Sequence, residues 1–145
     1  MTTTSRVVDG FIGESYARIA LLRAGWRTYT ADVDDHGVDL VARSPAGRFY
    51  EVQVKLTGPT VNPFVYAKSF RATAAYLVCF VCILPGQAVA LYLAAGSDWG
   101  DPAYPCLNYN AAGGGAGPYY ELSLASKYAE ALRALEFDRY VAKLG

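Results

Sequence analysis

The chain carries no excess of charge of either sign. Its 13 Lys and Arg residues balance 13 Asp and Glu, so binding driven by overall positive charge is not indicated. Any nucleic-acid contact needs a local basic patch. Charged residues are also scarce, at 18% against 53% hydrophobic, which excludes global disorder and provides for a real core. Long hydrophobic runs are missing. The longest, AAYLVCFVCIL at 74–84, falls short of the ~20 residues that a bilayer-crossing helix needs. MTTTSRVVDG has no apolar segment of the kind a secretory signal carries. The expectation is a cytoplasmic protein with no membrane contact.

Three cysteines and one histidine leave little for thiol or zinc chemistry. Cys79 and Cys82 have the C-x-x-C spacing, but they sit among strand formers, where positions three apart point to opposite faces. No second cysteine pair or histidine completes a zinc set. Cys79, Cys82 and Cys106 are therefore read as inert buried thiols. His36 lies in ADVDDHG (31–37), read as an acidic turn, with no nucleophile close by in sequence, so a catalytic triad is not supported. The same segment fails as a calcium loop: counted from Asp32, the fifth position is His36 and the twelfth is Arg43. AAGGGAG (111–117) lacks the Gly-Lys-Ser/Thr of a phosphate-binding loop and reads as flexible.

The 145 residues suggest one domain, 1–145. Helix formers at 11–24 end at Gly25. Strands follow at 26–30, 38–43 and 48–56, the last two joined as a hairpin by the turn SPAG. A short extension is expected at 64–70, a buried central strand at 75–84 and its partner at 87–95. The stretch 96–120 reads as irregular, either mobile or functional. A helix capped by Ser123 is expected to close the chain over 123–144. The order predicts an α/β or α+β fold, with a central mixed sheet flanked by helices.

The chemistry concentrates in EVQVK (51–55). Glu51, Gln53 and Lys55 share one face of a strand, since side chains repeat every second residue. The preceding strand carries Asp39 between Val38 and Leu40, where a short acid is disfavoured by propensity. A hairpin brings Asp39 to that face. Carboxylate and amide oxygens there suit a hard divalent cation, and a neighbouring lysine suits activation of a water or neutralisation of developing charge. Phosphodiester hydrolysis uses this combination. The alternative is a solvated cross-strand ion pair.

The larger pattern resembles the PD-(D/E)XK nuclease superfamily. The resemblance covers residues 10–55, GFIGESYARIALLRAGW followed by DDHGVDLVARSPAGRFYEVQVK. It is most similar to small members with a Gly-Glu-x-x-Ala helix, such as Holliday junction resolvases. It implies a restriction-endonuclease-like core and a metal-dependent endonuclease acting on DNA, including branched DNA, with Mg²⁺ (or Mn²⁺) as cofactor. It also implies site residues: Glu14 on the helix, Asp39 on the first strand of the hairpin, and Gln53 and Lys55 on the second. Gln53 stands where the family usually has an acid, in a Gln-x-Lys form. Glu51, two residues earlier on the same face, is the candidate to replace the missing charge.

Arg43, Arg48, Lys68 and Arg71 are the candidates for phosphate contacts. Tyr66, Trp99 and the tyrosines at 104, 109, 119 and 120 are candidates for base stacking or for packing. The resemblance also implies a homodimer, for which the apolar strand and the tyrosine-rich tail offer contact surface. The runner-up function is a catalytically inactive nuclease-fold module that binds nucleic acid or protein.

Overall fold

A computed structural model describes Thr3–Asp35 and Gly37–Leu144. Helix α1 (Thr3–Arg23) leads into β1 (Arg27–Asp35), β2 (Val38–Arg43) and β3 (Phe49–Thr57). Short β4 (Phe64–Tyr66) and a 3-10 turn, Ala67–Ser69, precede β5 (Tyr76–Cys82) and β6 (Ala90–Ala95). Strands β7 (Leu107–Gly114) and β8 (Gly117–Leu122) are followed by α2 (Ala129–Leu135) and α3 (Phe137–Val141). The fold is mixed α/β. A five-stranded sheet has the order β1-β2-β3-β5-β6, and a smaller sheet the order β4-β8-β7. Only β3 and β5 pair in parallel; every other neighbour is antiparallel.

Strand β5, YLVCFVC, is buried at all seven positions, as a strand covered on both faces must be. One cover is α1, whose buried residues include Ala17 and Leu21. A Cβ at Gly13 would stand 3.4 Å from both Val54 Cγ1 and Leu56 Cβ, so a small residue lets the helix lie directly on β3. The opposite cover is aromatic. Phe70 stacks on Tyr120 at 3.7 Å between ring centroids and meets Trp99 edge-on at 5.1 Å. These rings join the two sheets into one core that includes Val65, Leu107 and Leu122 of the small sheet. At the far edge, the Tyr140 hydroxyl accepts the Ala95 N–H at 3.0 Å and donates to Asp98, pinning α3 to the end of β6.

Several expectations change. Helix α1 begins at Thr3, eight residues before the expected start at Phe11; residues 5–8 and Gly10 of the added part are exposed, so it runs on beyond the stretch that packs on β3. The acidic segment at 31–35 extends β1 rather than forming a turn; His36 lies outside the described residues. The stretch 96–120 contains a hairpin. The glycine-rich segment forms its tip, where Asn110 Oδ1 accepts the Gly113 N–H at 3.0 Å and Asn110 Nδ2 donates to Tyr119 at 2.8 Å. The closing helix is two short helices broken at Glu136, whose backbone bridges to Tyr92. Ser123 caps neither of them: its hydroxyl accepts the Ala125 N–H at 3.4 Å. The expected strand at 87–95 starts only at Ala90.

Candidate active site

The β2–β3 ladder pairs Leu40 with Val52 and Val41 with Glu51. One step further, the same register sets Asp39 opposite Gln53. Asp39 Oδ2 accepts the Val54 N–H at 2.7 Å and faces Gln53 Nε2 at 3.5 Å. The backbone donor holds the carboxylate where the strand alone would leave it to rotate.

Gln53 is 6% exposed. Its Oε1 is buried and has no hydrogen-bond partner among the described residues, an arrangement that costs about 1–3 kcal/mol if nothing fills it. Gly37 makes room for the amide. Its φ is +89°, and a Cβ there would come within 2.8 Å of Gln53 Oε1 and 2.6 Å of the Ser69 carbonyl oxygen. Only glycine closes this hairpin without displacing the amide.

Alternation along β3 puts Glu51 and Lys55 on the same face as Gln53. The parallel register sets Glu51 beside Tyr76 and Lys55 beside Phe80. The Tyr76 hydroxyl donates to the Ser69 carbonyl at 3.1 Å. Its pKa is pushed well above the ordinary tyrosine value, first by burial; the Arg71 charge opposes this, while Asp39 and Glu51 add to it. Asp39, Glu51, Arg71 and Tyr76 therefore share one electrostatic neighbourhood.

Glu14 enters from α1. Its carboxyl is held above the ordinary value of 4.5, first by partial burial, then by the negative charge of Asp39, with Arg18 opposing. Two carboxylates thus repel each other, and Asp39 stands beside an amide whose oxygen has no hydrogen-bond partner among the described residues. Both features fit a bound cation. Among the described residues, no three His, Cys, Asp or Glu side chains gather as a metal cage. Asp39, Glu14 and the neutral Gln53 oxygen, with Glu51 on the same strand face, are the groups here that could hold a cation; so sparse a set would suit a cation that keeps several of its waters.

The Lys55 side chain is half-buried and makes no hydrogen bond or ion pair among the described residues. It lines a cleft of about 210 Å³ with Asn62, Pro63, Phe64 and Tyr66. No protein-family model matches this chain, and no curated protein does. Among solved structures, a bacterial homing endonuclease is similar to it. The likeness covers 83% of this chain and 77% of that one, at 18% identity and a TM-score of 0.49. At that distance the residues of this chain carry the functional reading.

Beyond Asp39, the same face of β1–β2–β3 is open. The registers align Tyr29, Val41 and Glu51 in one row and Arg27, Arg43 and Phe49 in the next. The Arg43 guanidinium lies 5.9 Å from the Phe49 ring centroid, and Tyr29 and Phe49 stand 6.4 Å apart, both exposed. Among the described residues the single ion pair is Arg139–Glu136, so neither Arg27 nor Arg43 has an ion-pair partner among them. Arg27, Tyr29 and Phe49 escape sequence reasoning. Alternation in WRTYT and RFYE is visible, but which residues align is not.

Of the expected phosphate contacts, Arg43 lies on this open face and Arg48 is exposed in the adjoining turn. Lys68 is elsewhere, 6.0 Å from the Tyr66 ring centroid. Arg71 points inward, 5.9 Å from the Tyr76 ring centroid, with Nη1 buried and without a hydrogen-bond partner among the described residues. Of the expected stacking residues, Trp99 and Tyr120 belong to the packed ring cluster around Phe70. The cysteines are buried free thiols, and burial pushes Cys79 up to about 12 and Cys82 up to about 11. Among the described residues, no helix is long and apolar enough to cross a membrane.

Proposed function

We propose that this chain is a Mg²⁺-dependent nuclease that hydrolyses DNA phosphodiester bonds, with a Gln-x-Lys form of the PD-(D/E)XK site. The observation that carries the reading is the buried Gln53 Oε1, without a hydrogen-bond partner among the described residues, beside a carboxylate already fixed by a backbone donor. An evolved interior rarely leaves such an oxygen empty. Asp39, Gln53 and Glu14 would hold the cation, which when bound supplies Lewis-acid polarisation of the scissile phosphate and a more acidic water. Lys55, which makes no hydrogen bond or ion pair with the described residues, would orient that water or neutralise charge developing on the phosphate. Arg27 and Arg43 neutralise phosphates along the strand leading to the site, and Tyr29 and Phe49 offer rings to bases.

A second reading, a binding module without catalysis, draws on Gln53 itself, since the amide removes a charge from the metal set. The two readings part on one experiment. Duplex, single-stranded and branched DNA are incubated with the full chain and Mg²⁺, beside Lys55→Ala. The nuclease reading expects cleavage that needs Mg²⁺ and falls on the order of 100-fold or more in Lys55→Ala. DNA binding without cleavage by either protein selects the binding module.

A further inference from the structure

Strand β4 turns one residue inward and two outward. Val65 is buried in the core, while Phe64 and Tyr66, on the opposite face of the strand, are half-buried. Both rings line the cleft that also holds the Lys55 side chain. Lys55 has no ion-pair partner among the described residues. An aromatic wall beside such a lysine supplies what a nucleotide needs, a ring for the base and a cation for its phosphate. We propose that this cleft seats one unstacked nucleobase of the DNA strand being cut, so that the chain acts on strands with an unpaired nucleotide at the scissile phosphate rather than on continuous duplex. The proposal rests on the nuclease reading of the Asp39 site and adds its substrate class.

The cleft has the shape for a base. The Phe64 and Tyr66 rings are 5.1 Å apart between centroids and stand at 81°. They make two walls at nearly a right angle, so a planar base laid on one ring presents its edge to the other. Aromatic rings attract in both arrangements. The volume of about 210 Å³ is below the roughly 300–1,000 Å³ of sites for drug-sized molecules. It suits a single base and not a base pair. A base must therefore leave its stack to enter, and that costs least where it has no partner in the other strand.

The fold fixes the rim. The Thr57 hydroxyl donates to the Val61 carbonyl at 2.7 Å, the Leu122 N–H to the Pro63 carbonyl at 3.0 Å, and the Leu124 N–H to Asn62 Oδ1 at 3.1 Å. The last bond also orients the Asn62 amide. Its oxygen is taken, and its Nδ2 makes no hydrogen bond among the described residues. That leaves an N–H donor at the cleft for a ring nitrogen or carbonyl oxygen of a base. Lys55 ties the cleft to the proposed cation site. Gln53 is two residues back on the same face of β3, about 6.6 Å along the strand. One nucleotide spans that distance, with its base in the cleft and its phosphate at the cation site.

The test uses a duplex with a single bulged 2-aminopurine, whose emission is quenched when its ring stacks, and the matching continuous duplex. Both are titrated with the full chain in a chelating buffer and then incubated with Mg²⁺. In chelator the bulged duplex should bind more tightly, on the order of tenfold, and its emission should fall on saturation. With Mg²⁺ the cut should lie at a phosphate next to the bulge. Phe64→Leu combined with Tyr66→Leu keeps apolar volume and removes both rings. It should lose the preference and the quenching while still binding the continuous duplex. If that variant fails to fold, Asn62→Asp decides: it keeps an acceptor for the Leu124 N–H, removes the donor, and should lower the preference for the bulge. Equal binding of the two duplexes, unchanged emission, or full preference kept in the variants overturns the proposal. The two readings fail separately. Preference and quenching without any cut leave the base seat standing and overturn the nuclease reading. Cutting of both duplexes alike without quenching leaves the nuclease reading standing and overturns the base seat.

Discussion

Gln53 and Asp39 face each other across the β2–β3 ladder, with Gln53 Nε2 3.5 Å from Asp39 Oδ2 while the oxygen of the same amide is buried without a hydrogen-bond partner among the described residues. One end of the amide leans on a carboxylate that the Val54 N–H already holds, and the other is a buried acceptor that none of those residues satisfies. In a packed interior this is a cost, and a cation or its water shell would remove it.

Exchanging that amide tests the pairing. Gln53→Glu puts a second carboxylate against Asp39 in a buried position. Without metal it should lower unfolding stability by about 1–3 kcal/mol through burial of charge and like-charge repulsion. Saturating Mg²⁺ should return most of that loss, and by more than it stabilises the parent chain. Urea unfolding with and without Mg²⁺ reads both effects. Equal Mg²⁺ responses in the two proteins would place the cation elsewhere.

Glu14 gives a pH signature. Its folded pKa is raised, so the folded chain binds this proton more tightly than the unfolded chain. The metal-free protein therefore has the benefit in full below the ordinary value of 4.5 and loses it as pH rises through the higher folded value. Glu14→Gln should melt higher than the parent at neutral pH, with the difference disappearing below the ordinary carboxyl range. Thermal melts across that range in a chelating buffer would show it; a variant that melts lower at neutral pH contradicts the repulsion from Asp39.

The open face of β1–β2–β3 makes a prediction about salt. If Arg27 and Arg43 each contact a phosphate, replacing either with alanine should weaken DNA binding for every sequence alike. Each replacement should also reduce the slope of log affinity against log salt by about 1. Arg139→Ala, at the paired Arg139–Glu136 site, should leave the slope unchanged. Fluorescence anisotropy at several salt concentrations measures it, and an unchanged slope in both Arg27→Ala and Arg43→Ala would remove this face from the DNA path.

Much of this arrangement is legible in the sequence where periodicity speaks. EVQVK alternates, so its polar face can be read directly, and the unbroken YLVCFVC run announces a strand covered on both sides. The hairpin SPAG sets β2 against β3 and brings Asp39 to Gln53. Other parts are invisible because they depend on register or on tertiary contact. The alignment of Arg27, Arg43 and Phe49 follows from two turns acting together. The β7–β8 hairpin hides in glycine-rich sequence with weak alternation. The seating of Gly13 on Val54 and Leu56 shows only in the folded chain.

Whether Asp39 and Gln53 hold a divalent cation is read most directly by calorimetric titration of Mn²⁺ into the metal-free chain, with Asp39→Asn titrated in parallel. A saturable binding heat is expected in the parent chain, and its loss in Asp39→Asn. No binding in the parent, or equal binding in Asp39→Asn, would contradict it.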